Sequence, residues 1–163
     1  MAQQRHDTLE VKAILGLANE FLRKDIAQAR NYAQQAIRIS SQIQYAYGLC
    51  SGYVYLTSLS QSALKRDSAL YYLGLIDQLA KEHPEDLRIS KNYNQTAGLF
   101  YKAQGEFKRA LPYFLENLKL ATKEDENKAG SLLNIGNTYS QMADHRNAKI
   151  GRASCRERVS SPV

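Results

Sequence analysis

Three histidines, two cysteines and sixteen carboxylates are the groups in this 163-residue chain that could carry chemistry. His6 lies near a terminus, His83 precedes a proline and His145 falls at an expected turn, so no metal-ligand spacing links them. Cys50 sits in an apolar helical context, where a thiol usually serves as a small buried side chain. Its only companion, Cys155, lies in a segment of different character. The carboxylates are spread as helix caps and surface charges, and neither a Gly-rich phosphate loop nor a nucleophile elbow occurs. We therefore expect no catalytic residue, no metal and no cofactor. Asn94-Gln95-Thr96 fits a glycosylation acceptor, but it falls inside an expected helix and is given no functional weight. The Tyr-rich stretch 45–55 has the residue type for base stacking. At helical spacing beside Gly52, however, it reads as packing.

A different pattern organises the chain. A Gly, a Tyr three residues on and an Ala that opens a second helical stretch recur as Gly52/Tyr55/Ala69, Gly98/Tyr101/Ala110 and Gly136/Tyr139/Ala148. A looser first copy is Gly16/Ala29. Recurrence at a few tens of residues marks stacked helical hairpins, an architecture that binds partners more often than it catalyses.

Composition is compatible with this. Apolar residues at 44% and charged residues at 23% are ordinary for a globular chain and argue against disorder. Three prolines leave room for long helices. No apolar run approaches the ~20 residues that span a bilayer. Of the net charge of +6, residues 150–163 supply +2 through Arg152, Arg156 and Arg158 against Glu157. The remaining basic residues are dispersed among acidic ones (Lys123, Glu124, Asp125 and Glu126 share one loop), which predicts a mixed-charge surface and no nucleic-acid partner.

The elements read as follows. Residues 1–7 form a lead, and Asp7 or Thr8 caps a first helix carrying Leu9, Ile14, Leu17, Phe21 and Leu22. Asp25 caps a second, whose Ala29, Ala33 and Ala36 admit a close neighbour; together they make a hairpin over 8–43. A second hairpin covers 44–85, its second helix beginning near Asp67 and ending at His83-Pro84. Its Gly52-to-Ala69 spacing is 17 residues against 12 in later copies, which predicts a longer first helix or turn. A third covers 86–124, with Gly105 at its turn and Pro112 inside its second helix. A fourth, 125–149, reaches Ala148 and stops, so its apolar face is expected to be exposed.

Ile150-Gly151-Arg152-Ala153-Ser154-Cys155-Arg156-Glu157-Arg158-Val159 breaks with everything before it. The decapeptide reads as one frame of a common short-read sequencing adapter, whose first two bases complete the Lys149 codon. The expectation is that residues 150–163 are a non-native tail and that the natural chain was cut near Lys149.

The repeated residues resemble the tetratricopeptide repeat, a helix-turn-helix unit of about 34 residues. The fourth copy matches through Leu132, Ile135, Gly136, Tyr139 and Ala148. The third matches through Ala97, Gly98, Tyr101, Gly105, Phe107, Ala110 and Phe114. The second matches through Gly52, Tyr55, Ala69 and Leu73, and the first through Leu15, Gly16, Ala29, Ala33 and Ala36. No copy has the family's Trp, and Thr122 replaces its helix-ending Pro. The resemblance implies an all-α, right-handed superhelix (α-solenoid) of about three and a half hairpins that binds protein or peptide on its concave face. On that face it places Tyr53, Asn92, Gln95, Leu99, Lys102, Asn134, Asn137 and Ser140. It assigns packing roles to Gly52, Tyr55, Ala69, Gly98, Tyr101, Ala110, Phe114, Gly136, Tyr139 and Ala148. The opening, from Asp7-Thr8-Leu9 through Asp25 to Ala36-Ile37, also resembles the first repeats of bacterial signalling proteins, which carry a kinase or DNA-binding output and can dimerise. In such proteins a signal peptide commonly precedes a start like Ala2-Gln3-Gln4. The implied location is then periplasmic, against cytoplasmic for the chain as written.

Overall fold

A computed structural model of the chain describes residues 2–121 and 128–143, with side chains from residue 7 onward. Among these residues every regular element is a helix: α1 (Ala2–Phe21), α2 (Ile26–Gln42), α3 (Ala46–Ser62), α4 (Arg66–Glu82), α5 (Leu87–Ala103), α6 (Phe107–Leu120) and α7 (128–143). The protein is all-α. It divides into two compact units, one up to Ala97 and one from Gly98, with the boundary falling within α5.

Local chemistry explains most helix ends. Asp25 is extended (φ −151°, ψ 102°) and accepts from the amides of Ala27 and Gln28 at 2.9 and 3.0 Å, capping α2 as expected. Asp86 caps α5, taking the Arg88 amide at 3.1 Å. The first helix differs from expectation: it starts at Ala2, so Asp7 and Thr8 lie within it. Ala2 to Arg5 are good helix formers, and nothing there stops the helix. Asp67 likewise falls in the first turn of α4 rather than before it.

Three connections share one hydrogen-bonding scheme. Gln44, Leu64 and Gly105 are left-handed, at φ 55°, 56° and 73°. Their amides donate to Ser41, Gln61 and Lys102, and the next amides (Tyr45, Lys65, Glu106) donate to Ser40, Ser60 and Tyr101. This is the Schellman closure, which satisfies carbonyls that a helix end leaves open. Gly105 was legible as a turn; Gln44 and Leu64 were not, because glycine normally marks the position.

In the first unit α1 packs on α2, α2 on α3 and α3 on α4, and α1 also touches α3. Ala29, Ala33, Ala36 and Ser40 are fully buried along α2. Opposite them Gly48 and Gly52 of α3 leave no room for side chains. A Cβ on Gly52 would meet Ile37 Cδ1 at 3.1 Å and the Ala33 carbonyl at 3.3 Å. Gly52 therefore serves the α2–α3 crossing between successive hairpins, not the contact within its own. Tyr55 follows it, packing against a cluster of Ala29, Ala33, Leu56 and Leu59.

This corrects the reading of the second hairpin. Helix α3 is no longer than α5, each having 17 residues, and Ala69 and Ala110 are both the fourth residue of their helices. Twelve residues before the buried Ala69 stands Thr57, where the third hairpin has Gly98. Thr57 is fully buried, and its hydroxyl donates to the Tyr53 carbonyl at 2.8 Å. Gly52 lies five residues out of that register, and the spacing of 17 reports this offset rather than extra helix.

In the second unit Gly98 lies directly against the Phe114 ring, where a Cβ would meet Cδ1 at 2.7 Å. Tyr101 is 8% exposed and stacks on Tyr113 at 5.6 Å between centroids, while Ala110 and Phe114 are fully buried. Helix α7 buries Ser131 and Thr138, with Asn117 Nδ2 donating to Ser131 Oγ at 3.3 Å. Its Leu132, Leu133, Gly136 and Tyr139 are exposed. Ala148, His145, Cys155, the 122–127 loop and the 150–163 tail lie outside the described residues.

Candidate binding face

The eight residues expected on a ligand face do not share one environment. Tyr53 packs toward α4. The ring stacks on Tyr72 of α4 at 6.3 Å, and burial pushes its hydroxyl pKa upward. The same five-residue offset that moved Gly52 explains this. With Gly48, Gly52, Leu56 and Leu59 committed to neighbours, and Cys50, Thr57 and Ser60 buried as well, the remaining sector of α3 holds Ser51 and Ser58, together with Tyr47 and Val54, which pack against the cluster of Cys50, Ile76, Leu79 and Ile89. All four are half-buried. The signal that finds them is Ala69: counting back twelve residues sets the register that Gly52 obscured.

Helix α5 borders this row in the first unit. Arg88 lies with its guanidinium 4.4 Å from the centre of the Tyr47 ring. It also donates through Nε and Nη2 to the two oxygens of Asp86, at 2.9 and 2.6 Å. This fork holds the Asp86 carboxyl below its usual pKa range. Asn92 turns toward α3, its Nδ2 lying 3.8 Å from Cys50 Sγ. Gln95 is half-buried.

In the second unit the expected residues do come together. Lys102 Nζ donates to Asn134 Oδ1 at 3.3 Å, joining α5 to α7. Leu99, one turn before Lys102, is 40% exposed, and Asn137 and Ser140 are exposed beyond Asn134 on α7. The result is a surface with one cation, two amides, a hydroxyl and an aliphatic side chain. Such a set can hold peptide backbone and side chains by hydrogen bonds and apolar contact. It contains no nucleophile–base pair.

The remaining reactive groups are accounted for by packing. Cys50 is fully buried, and burial pushes its thiol up to about 12, so it is a poor nucleophile at neutral pH. His83 Nδ1 lies 3.4 Å from Glu85. Asn94 and Thr96 of the acceptor pattern are 8% and 6% exposed, closed off by the fold. The tyrosines of 45–55 are engaged: Tyr45 in the α1–α2 cluster, Tyr47 by Arg88, Tyr53 by Tyr72 and Tyr55 against α2. Among the described residues no three His, Cys, Asp or Glu side chains gather as metal ligands. No helix among them is long and apolar enough to cross a membrane. Comparison with protein-family models and with curated proteins finds no match for this chain.

Proposed function

We propose that this protein is a non-catalytic binding scaffold, a tetratricopeptide-like right-handed array of helical hairpins whose partner is a protein or peptide. The observation that carries the reading is the α5–α7 surface of Leu99, Lys102, Asn134, Asn137 and Ser140, where polar and aliphatic groups stand side by side on two bridged helices. The Gly98–Phe114 approach and the run of short interhelical connections support the hairpin architecture. Selection of a random peptide library on the full chain tests it. Enriched peptides should lose binding to Leu99→Asp and keep it with Leu115→Asp on α6. If no peptide is enriched, or if both variants behave alike, the reading fails.

A second reading is the sensory or dimerising region of a longer bacterial signalling protein. It is favoured by the exposed Leu132, Gly136 and Tyr139 on α7, a face suited to a further helix or a second copy. Light scattering across a concentration series should then show a dimer that Leu132→Asp dissociates; a monomer throughout removes this reading.

A further inference from the structure

Leu64 stands out because folding gives no reason for it. Its backbone is left-handed at φ 56°, a strain that glycine would remove, and its aliphatic side chain is 92% exposed. The equivalent positions in the other two closures are Gly105 and the polar, exposed Gln44. Within the first unit, α1 to α4 pack in chain order through connections of three or four residues, so successive helices run antiparallel. The α1–α2 and α3–α4 connections therefore share one end. That end carries Arg23, Lys24, Lys65 and Arg66 against Asp25 and Asp67. Asp25 is engaged by the α2 amides, and Lys24 by Glu20 at 2.8 Å. The two connections at the opposite end hold Glu85 and Asp86 and no Lys or Arg. Three more exposed apolar residues gather near Leu64. Ile26 opens α2 at the basic end, and Leu70 and Tyr71 lie in the second turn of α4. Side chains lean toward the N-terminus of their helix, which for α4 is the same end.

We propose that this end of the first unit docks on an anionic membrane surface, Leu64 entering the interface while the surrounding cations meet lipid headgroups. The surface is separate from the α5–α7 face and does not depend on the peptide-binding reading. Charge complementarity selects the occupant: each Lys or Arg near an anionic leaflet is drawn to its negative surface potential. The shape agrees. Leu64 is held at the apex of a tight turn, its amide donating to Gln61 at 2.9 Å and the next amide to Ser60 at 2.8 Å. A fixed aliphatic protrusion enters a bilayer interface, which yields around it, without first being ordered. Tyr71 and the long basic side chains have an apolar body and a polar tip, the combination that sits well at headgroup level. Protein interfaces are built otherwise: Lys is depleted in them, and Leu is under-represented among the residues that carry their binding energy. Nucleic acid has no use for an aliphatic apex among the cations. One inserted side chain and a few charges give reversible docking that weakens with salt.

The test is co-sedimentation of the full chain with vesicles of phosphatidylcholine alone or with about a third phosphatidylserine. Binding should require phosphatidylserine and fall about ten-fold from low to physiological salt. Leu64→Gly should fold with no loss of helicity yet bind about ten-fold more weakly. Gln44→Gly, which relieves the same strain at the opposite end, should bind as the wild type does. Lys65→Glu should also cost about ten-fold and Lys65→Arg nothing. The chain has no Trp, so Leu64→Trp provides a single reporter whose emission should shift to the blue on anionic vesicles. Absence of binding to either vesicle, or equal binding to both, would overturn the proposal. Binding that ignores both Leu64→Gly and Lys65→Glu would assign the attraction to another basic surface and overturn it as well. So would an emission from Leu64→Trp that stays unshifted while the protein sediments with the vesicles.

Discussion

Gly98→Ala should destabilise this protein, although the same change at the open helical position Gly74 should stabilise it. Replacing a helical Gly by Ala gains about 0.5–1 kcal/mol through backbone entropy and propensity. At Gly98 the new methyl would reach three atoms of the Phe114 ring, including Cδ1 at 2.7 Å and Cζ at 2.8 Å. Phe114 is fully buried, so its ring has nowhere easy to go. Overpacking of this kind costs about 1–3 kcal/mol. The cost wins, for a net loss of about 1–2 kcal/mol. Gly74 of α4 is exposed with nothing within 4 Å of a Cβ, so Gly74→Ala should gain about 0.5–1 kcal/mol. Urea denaturation followed by far-ultraviolet circular dichroism measures both. A Gly98→Ala variant at or above wild-type stability would refute the close approach, as would equal shifts in the two variants. Adding Phe114→Leu to Gly98→Ala should recover part of the loss if the two positions are coupled.

Three further outcomes follow from the same packing. Leu64 holds a left-handed conformation at φ 56° with its side chain 92% exposed, so Leu64→Gly should stabilise by about 1 kcal/mol in the same urea assay. Tyr101→Ala should cost about 3–5 kcal/mol, and Tyr139→Ala clearly less, because Tyr101 is 8% exposed and Tyr139 52%; equal costs would contradict the burial. Stability should fall as pH rises from about 9 toward 12, because Cys50 keeps its proton to about 12 when folded against an ordinary value of 9.0, so the folded state binds more protons there. Partial burial raises the hydroxyls of Tyr45, Tyr53, Tyr55 and Tyr101 too, and they add in the same sense. Cys50→Ala should flatten this alkaline fall, and an unchanged slope would show that the thiol does not titrate on unfolding.

The helices were legible in the sequence because their apolar positions recur at three and four and because Asp25, Gly105 and His83-Pro84 mark ends by known chemistry. Register within α3 was not. Gly52 and Tyr55 mimic the pair Gly98 and Tyr101, yet they answer to α2 and its alanines, a tertiary contact with no local signature. Thr57 hid the true register, since a hydroxyl bonded to its own helix can be buried where glycine is expected. Gln44 and Leu64 concealed two turns for a similar reason: hydrogen bonds at the helix end hold them at φ values that their residue types disfavour. Lys102 and Asn134, named together because the third and fourth copies share one spacing, do meet in the structure. Tyr53 was chosen in the register that Gly52 suggests, and its ring packs on Tyr72 of α4.

The most direct measurement is an amide NMR titration of the full chain with a peptide selected on it. Binding on the α5–α7 surface predicts that shifts concentrate at Leu99, Lys102, Asn134 and Asn137 and saturate together, while α2 and the outer residues of α4 stay still. Shifts centred on α2 or α4, or a titration that never saturates, would contradict the account.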